Sequence, residues 1–261
     1  MNGAMVKVPA EVHPESRLFY DKLLTYRPKA HRYYYGGEPI PSVTTIINLL
    51  SKHALIQWAA DMAVDHVEAC FKAEGHDFTL KPFDVICAEA RKAHERIKTT
   101  AGDIGTRTHD YAAACLKANF LQPLPDDPEA MPAMKAFQDW FRDHSVQTIE
   151  AERMICSKQM HYAGRCDFYG RIDGVLGVMD IKTSKGVYHD HFLQLTGYQI
   201  ALHEELKLEE ETKRWILHLS KETGKFKMIE RGMSAPSAHA FTTLVRLEKL
   251  LKAAKKADDI E

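Results

Sequence analysis

The sequence predicts an α/β fold, a sheet core with helices on its flanks. Three observations predict it. The first half reads largely with helical periodicity, and the second runs strand, hairpin, helix, strands, helix. Asp173-Gly174 is a two-residue turn signal between two strand-like runs, because both positions tolerate φ > 0. The 261 residues suffice for one large core with a helical elaboration. The expected division is a mostly helical part at 1–145 and a core at 146–261, folded as one compact unit.

Taken in order, residues 1–16 read as an irregular leader. His31 to Pro41, HRYYYGGEPIP, reads as a short strand, a Gly-Gly turn and an edge strand limited by Pro39 and Pro41. Three consecutive tyrosines can stack on bases, but such a run is more often a half-buried strand. Ser42 or Thr44 can cap a helix through Ile46, Ile47, Leu49 and Leu50. Ser51 can cap a second, running through Leu55, Trp58, Met62 and Val67 to Phe71, with Trp58 in the core. Residues 82–99 carry Phe83, Ile86, Ala90, Ala93 and Ile97 at helical spacing. Gly75 to Leu80 reads as a break before that helix, and further on Asp103 can cap a helix that continues to about Ala118. In it Gly102, Gly105 and Thr106 allow close backbone approach, and His109 lies one turn inside. LQPLPDDP, at 121–128, is an acidic proline-rich loop.

Residues 129–144 read as a helix with Met134, Phe137, Trp140 and Phe141 inward, followed by a strand from Val146 to Ser157. The hairpin lies in Tyr162 to Lys185, YAGRCDFYGRIDGVLGVMDIKTSK. A turn at 173–174 sets Ile172 opposite Val175, Asp167 opposite Asp180 and Arg165 opposite Lys182. Alternation then puts Cys166, Phe168, Gly170, Ile172, Val175, Gly177, Met179 and Ile181 on one apolar face, against the core. Arg165, Asp167, Tyr169, Arg171, Leu176, Val178, Asp180 and Lys182 share the other. A helix follows, about His189 to Leu206, with Gln194 and Tyr198 on one face. Strands at Arg214–Leu219 and Phe226–Ile229 and a helix at 235–256 complete the chain.

Asp-x-Lys alone is common on solvated strand faces. Two carboxylates directly opposite repel one another, and a divalent cation between them reverses the sign of that interaction. With Lys182 on the same face, the arrangement points to metal-assisted hydrolysis. Glu152, on the preceding strand, is either a further acid at the site or an exposed strand residue.

Net charge is −1. That argues against bulk attraction to nucleic acid but leaves room for a local basic groove. The five cysteines show no zinc or iron–sulfur spacing, and an odd count of scattered thiols fits a reducing cytoplasm. No signal peptide or membrane-spanning run is evident.

These motifs together resemble the PD-(D/E)XK nuclease superfamily, in its RecB-like exonuclease branch. The resemblance rests on Ala163-Gly164-Arg165-Cys166-Asp167, Asp180-Ile181-Lys182-Thr183, Gln194-x-x-x-Tyr198, and upstream Gly105-Thr106-Arg107-Thr108-His109. Pro41-Ser42-Val43-Thr44-Thr45 with Trp58 is similar to phage and bacterial members and to mitochondrial genome maintenance exonucleases. The resemblance implies a restriction-endonuclease-like central mixed β-sheet flanked by helices. It implies Mg²⁺ (with Mn²⁺ as substitute) held by Asp167, Asp180, the Ile181 carbonyl and His109. Lys182 is then the catalytic lysine, steadied by Gln194 and Tyr198, with Arg107, Arg165 and Lys185 as candidates for gripping phosphates. The expected activity is a metal-dependent DNA exonuclease in recombination, repair or replication. Its expected partners are DNA, with single-stranded ends as a candidate substrate, and a recombination or replication protein, in a bacterial or phage-infected cytoplasm. The alternatives are a structure-specific or restriction-like endonuclease and a non-catalytic DNA-binding partner. Cys166 stands where the family pattern has proline, and Ala113 stands where some relatives carry a glutamate.

Overall fold

A computed structural model describes residues 15–50, 53–73 and 83–258. The expected leader, the Ser51 cap and the break at 75–80 fall largely outside these residues. The described chain is a mixed α/β structure with two sheets and seven α-helices.

The first sheet is an antiparallel meander of β1 (Ser16–Phe19), β2 (Lys22–Arg27), β3 (Arg32–Tyr35) and β4 (Glu38–Ile40). The β3–β4 hairpin turns at Gly36 and Gly37, both at positive φ. Tyr33 and Tyr35 are buried and Tyr34 lies under the Arg27 guanidinium, so the tyrosine run is a half-buried strand. β1 and β2 had no counterpart in the sequence reading. Their inward residues, Phe19 and Leu24, form a small core with Met154, Cys156 and Ala163.

Next come α1 (Val43–Ile47), α2 (His53–Ala73), α3 (Phe83–Arg91) and α4 (Ala93–Ala118). Ser42 Oγ accepts from the Thr45 N–H and caps α1. Trp58 is only half-buried, edge-on to His94. No helix starts at Asp103. The chain breaks instead at Lys92, and α4 runs 26 residues through both glycines. Asp103 pairs with Arg107 one turn on rather than capping. The local cost is small: two glycines cost an α-helix roughly 1 kcal/mol each, too little to stop a long helix packed by tertiary contacts.

After α5 (Met131–Asp143), the main sheet follows in the order β5 (Val146–Ser157), β6 (Tyr162–Ile172), β7 (Val175–Lys182), β8 (Lys213–Leu219), β9 (Phe226–Gly232). It is mixed: β7 and β8 run parallel, joined by α6 (His189–Leu206), and the other neighbours are antiparallel. α7 (Ala235–Ala257) closes the described chain.

Both faces of this sheet are covered. Phe168, Ile172, Met179, Ile181, Trp215, Leu217 and Leu219 pack with Tyr111, Leu116, Phe137 and Trp140 of α4 and α5. Cys166, Tyr169, Leu176, Val178 and Ile216 pack with Ile46 of α1, Leu195 and Tyr198 of α6 and Phe241 of α7. The single apolar face expected from alternation is therefore corrected twice. The other face is also core, and Cys166 belongs to it rather than beside Phe168. The pairing of β5 with β6 is irregular here. Pairing slips one residue between Thr148 and Glu150, then passes from Ala151–Phe168 to Arg153–Cys166, leaving out Glu152 and Asp167. Glu152 has φ +53°. A non-glycine residue in that region inside a strand is uncommon and strained.

The hairpin turn is as expected. Asp173 and Gly174 both have positive φ, and the register holds from Ile172–Val175 to Phe168–Met179. The Asp173 carboxylate accepts from the Ser145 N–H and pairs with His144.

Candidate active site

The site forms at the open end of the hairpin. Ladder pairing of β6 with β7 ends at Phe168–Met179. Asp167 and Asp180 are therefore not a ladder pair, and Arg165 is partnered by Met154 of β5 rather than by Lys182. The physical reason is a substitution of acceptors. The Ile181 N–H donates to Asp167 Oδ2 at 2.6 Å, so a carboxylate takes the backbone donor and the strands separate.

Four elements meet here. β7 supplies Asp180, which is buried, and Lys182. Lys182 Nζ lies 2.5 Å from Asp180 Oδ2 and donates to Gln194 Oε1 at 3.1 Å. Gln194 Nε2 in turn donates to Tyr198 Oη at 2.7 Å. The two α6 residues thus steady the lysine in a chain, as their four-residue spacing allows. Gly164 of β6 makes room: a Cβ there would stand 2.8 Å from the Tyr198 ring.

α4 supplies His109, whose Nδ1 lies 3.4 Å from Asp167 Oδ2. α4 comes close because position 105 is glycine, where a Cβ would meet Thr183 Oγ1 at 3.1 Å. β5 supplies Glu152, which lies 4.0 Å from Arg165. The geometry places Glu152 at the rim of the site, half-buried rather than fully exposed.

Burial and charge set the protonation states. Burial alone would lower the His109 pKa. Asp167, then Asp180, outweigh it and raise the imidazole to about 9. Burial alone would raise Asp167, but His109, the Ile181 N–H and Lys182 hold it below the ordinary carboxylate value. Burial raises Asp180, and neighbouring Asp167 adds to this against the pull of Lys182. Burial would lower Lys182, but Asp180 and Asp167 more than offset it, so the ammonium is favoured. Burial, with Asp167 nearby, pushes Glu152 up to about 7.

The donor set suits a hard divalent ion, which prefers carboxylate oxygens. Asp180 Oδ2 is buried and, although close to Lys182, has no donor in hydrogen-bonding geometry. The Lys182 ammonium already balances that oxygen, so the feature in favour of a cation is the second acid, Asp167, beside it. Against a ready-made cage, His109, Asp167 and Asp180 do not bring ligand atoms within 4.8 Å of one another as a set. Ile181 has its side chain in the α4–α5 core.

The three phosphate-gripping candidates fare differently. Arg107 is held by Asp103, Asp127 and Glu129, so its charge is already satisfied. Arg165 lies over the Tyr26 ring beside Glu152. Lys185 is exposed just beyond the site. Sequence reasoning missed His218. Parallel pairing sets it beside Lys182, and its Nε2–H donates to the Ser184 carbonyl at 2.6 Å, holding the loop after the lysine. Only the β7–β8 register reveals it, and no local motif does.

No family model and no curated protein matches the sequence. A solved structure titled "Crystal structure of SSO0001" is similar over 38% of this chain and 46% of that chain, so less than half of its length is spanned. Identity is 21% and the TM-score 0.26, a likeness too slight to define a shared fold. Among the described residues, no helix is long and apolar enough to cross a membrane.

Proposed function

We propose that the protein is a Mg²⁺-dependent DNA exonuclease of the PD-(D/E)XK type, with a restriction-endonuclease-like core. One observation carries the reading: Lys182 is fixed between the buried Asp180 carboxylate and Gln194, beside Asp167, at the end of a sheet. Burial opposes the charges of this acid–acid–lysine cluster, mutual attraction favours the charged forms of Asp167 and Lys182, and phosphodiester hydrolysis gives those charges a use.

In this reading Asp167, Asp180 and the Ile181 carbonyl hold the ion, with His109 supporting Asp167. Bound there, Mg²⁺ supplies Lewis-acid polarisation of the phosphate and lowers the pKa of a water. Lys182 works as an ammonium, since its neighbours favour the charged form. It orients the attacking water and stabilises negative charge growing on the phosphate. Gln194, locked by Tyr198, keeps that ammonium from swinging away. Arg165 and Lys185 grip flanking phosphates without reading bases, so cleavage has little sequence preference and binding weakens steeply with salt. Single-stranded DNA ends are the proposed substrate, in recombination, repair or replication in a bacterial or phage-infected cytoplasm, alongside a recombination or replication protein.

The test is digestion of end-labelled single- and double-stranded DNA with Mg²⁺, beside a covalently closed circle. Wild type should shorten the linear DNA from its ends and spare the circle. Equal release of label by wild type, Asp180→Ala and Lys182→Ala would refute the proposal, and cutting of the circle would convert it to an endonuclease.

A further inference from the structure

A second cluster lies away from the strand-end site, between α2 and α3. His66 and Cys70 are four residues apart on α2 and share a face. Glu89 of α3 meets them. His66 Nε2 lies 3.4 Å from Glu89 Oε2 and 3.8 Å from Cys70 Sγ. One ligand atom from each residue lies within 4.8 Å of the other two, and among the described residues no other trio of His, Cys, Asp or Glu does this. All three are half-buried.

These spacings are close to the edges of a coordination tetrahedron. With Zn–N and Zn–O of about 2.1 Å and Zn–S of about 2.3 Å, the edges are about 3.4 Å between N and O and about 3.6 Å between N and S. The observed 3.4 and 3.8 Å need little adjustment. A thiolate and a carboxylate would neutralise a divalent ion, which suits a half-buried position. A donor set of one sulfur, one nitrogen and one oxygen excludes Mg²⁺ as the preferred ion and favours zinc-like metals.

We propose that His66, Cys70 and Glu89 bind one Zn²⁺-like ion, with a fourth position left for water, and that the ion staples α2 to α3. It would stiffen the helical layer against which α4 packs. The site is independent of the nuclease reading, so either can fail alone.

The test uses the full chain and Co²⁺ as the probe, with excess Mg²⁺ present to fill sites built from oxygen. The expected result is one equivalent of Co²⁺ bound with a thiolate-to-cobalt charge-transfer band, displaced by Zn²⁺. Cys70→Ser and His66→Gln should each lose the band, while Cys87→Ser, on α3, keeps it. A second measurement needs no variant: Zn²⁺ should slow alkylation of Cys70 and leave Cys87 unchanged, read by mass spectrometry. No thiolate band in the folded protein, a band that survives Cys70→Ser, or Cys70 alkylation indifferent to Zn²⁺ would overturn the site and leave a hydrogen-bonded trio only.

Discussion

Near its turn, the β6–β7 hairpin pairs residue with residue, and its side chains disappear into two cores. Gly177 there is so close to Lys213 and Trp215 that a Cβ would stand 2.3 Å from the Lys213 carbonyl oxygen. At its open end the ladder stops, a carboxylate takes over a backbone donor, and acids and a lysine collect. One sequence run thus has an end devoted to packing and an end devoted to charge. The difference shows where such a site can be built. A continuous ladder commits backbone donors to the neighbouring strand, and a carboxylate can use them only where that ladder ends.

The largest expected effect lies at the open end. Lys182→Ala or Asp180→Ala should lower cleavage by about 10²–10³-fold or more, the scale of losing one group that stabilises transition-state charge. Circular dichroism should show the sheet intact. If either variant unfolds, or cleaves as fast as wild type, the division between the ends is wrong.

At the turn end, Gly177→Ala should do the reverse. Overpacking costs about 1–3 kcal/mol, which for a chain of this size lowers Tm by about 2–4 °C per kcal/mol. Cleavage per folded molecule should be unchanged. An unaltered Tm would mean that the close contact is readily relieved.

Tyr198→Phe sharpens the comparison further. It removes the hydroxyl that accepts from Gln194 and should cost about 1 kcal/mol, roughly fivefold in kcat, with KM for DNA little changed. A drop in KM-dependent binding alone would place the pair on substrate rather than on the lysine.

The smallest effect concerns pH. The folded pKa of His109 is raised to about 9 from an ordinary 6.5. Its pairing with Asp167 therefore adds stability in full below about pH 6.5, and that contribution is lost as pH rises through about 9. In chelator, wild type should melt above His109→Gln by a few degrees near pH 6, and the gap should close by about pH 9.5. A gap that widens with pH would mean that the imidazole is held neutral.

Sequence reading reached far where the signal was local. Asp173-Gly174 fixed the turn and the register of the pairs next to it. The bounds of β5 and α6 follow from periodicity, and Ser42 from capping chemistry. It failed at Gly102 and Asp103, whose breaking tendency α4 overrides. It also failed at β1 and β2, short strands with no strong turn dipeptide.

What the sequence determined by itself was most of the elements after β2, the hairpin turn and the presence of two acids and a lysine within sixteen residues. Local backbone preference and side-chain period act within a few residues, so they are legible in order along the chain. What only the tertiary structure decided was that both sheet faces are buried, that Cys166 and Phe168 part company, and that His109, Glu152 and His218 gather at the strand end. Those outcomes accompany the irregular β5–β6 pairing around Glu152 and Asp167 and the parallel pairing of β7 with β8. Contacts between residues distant in sequence are set by competition among packings of the whole chain, and no stretch of sequence contains that competition.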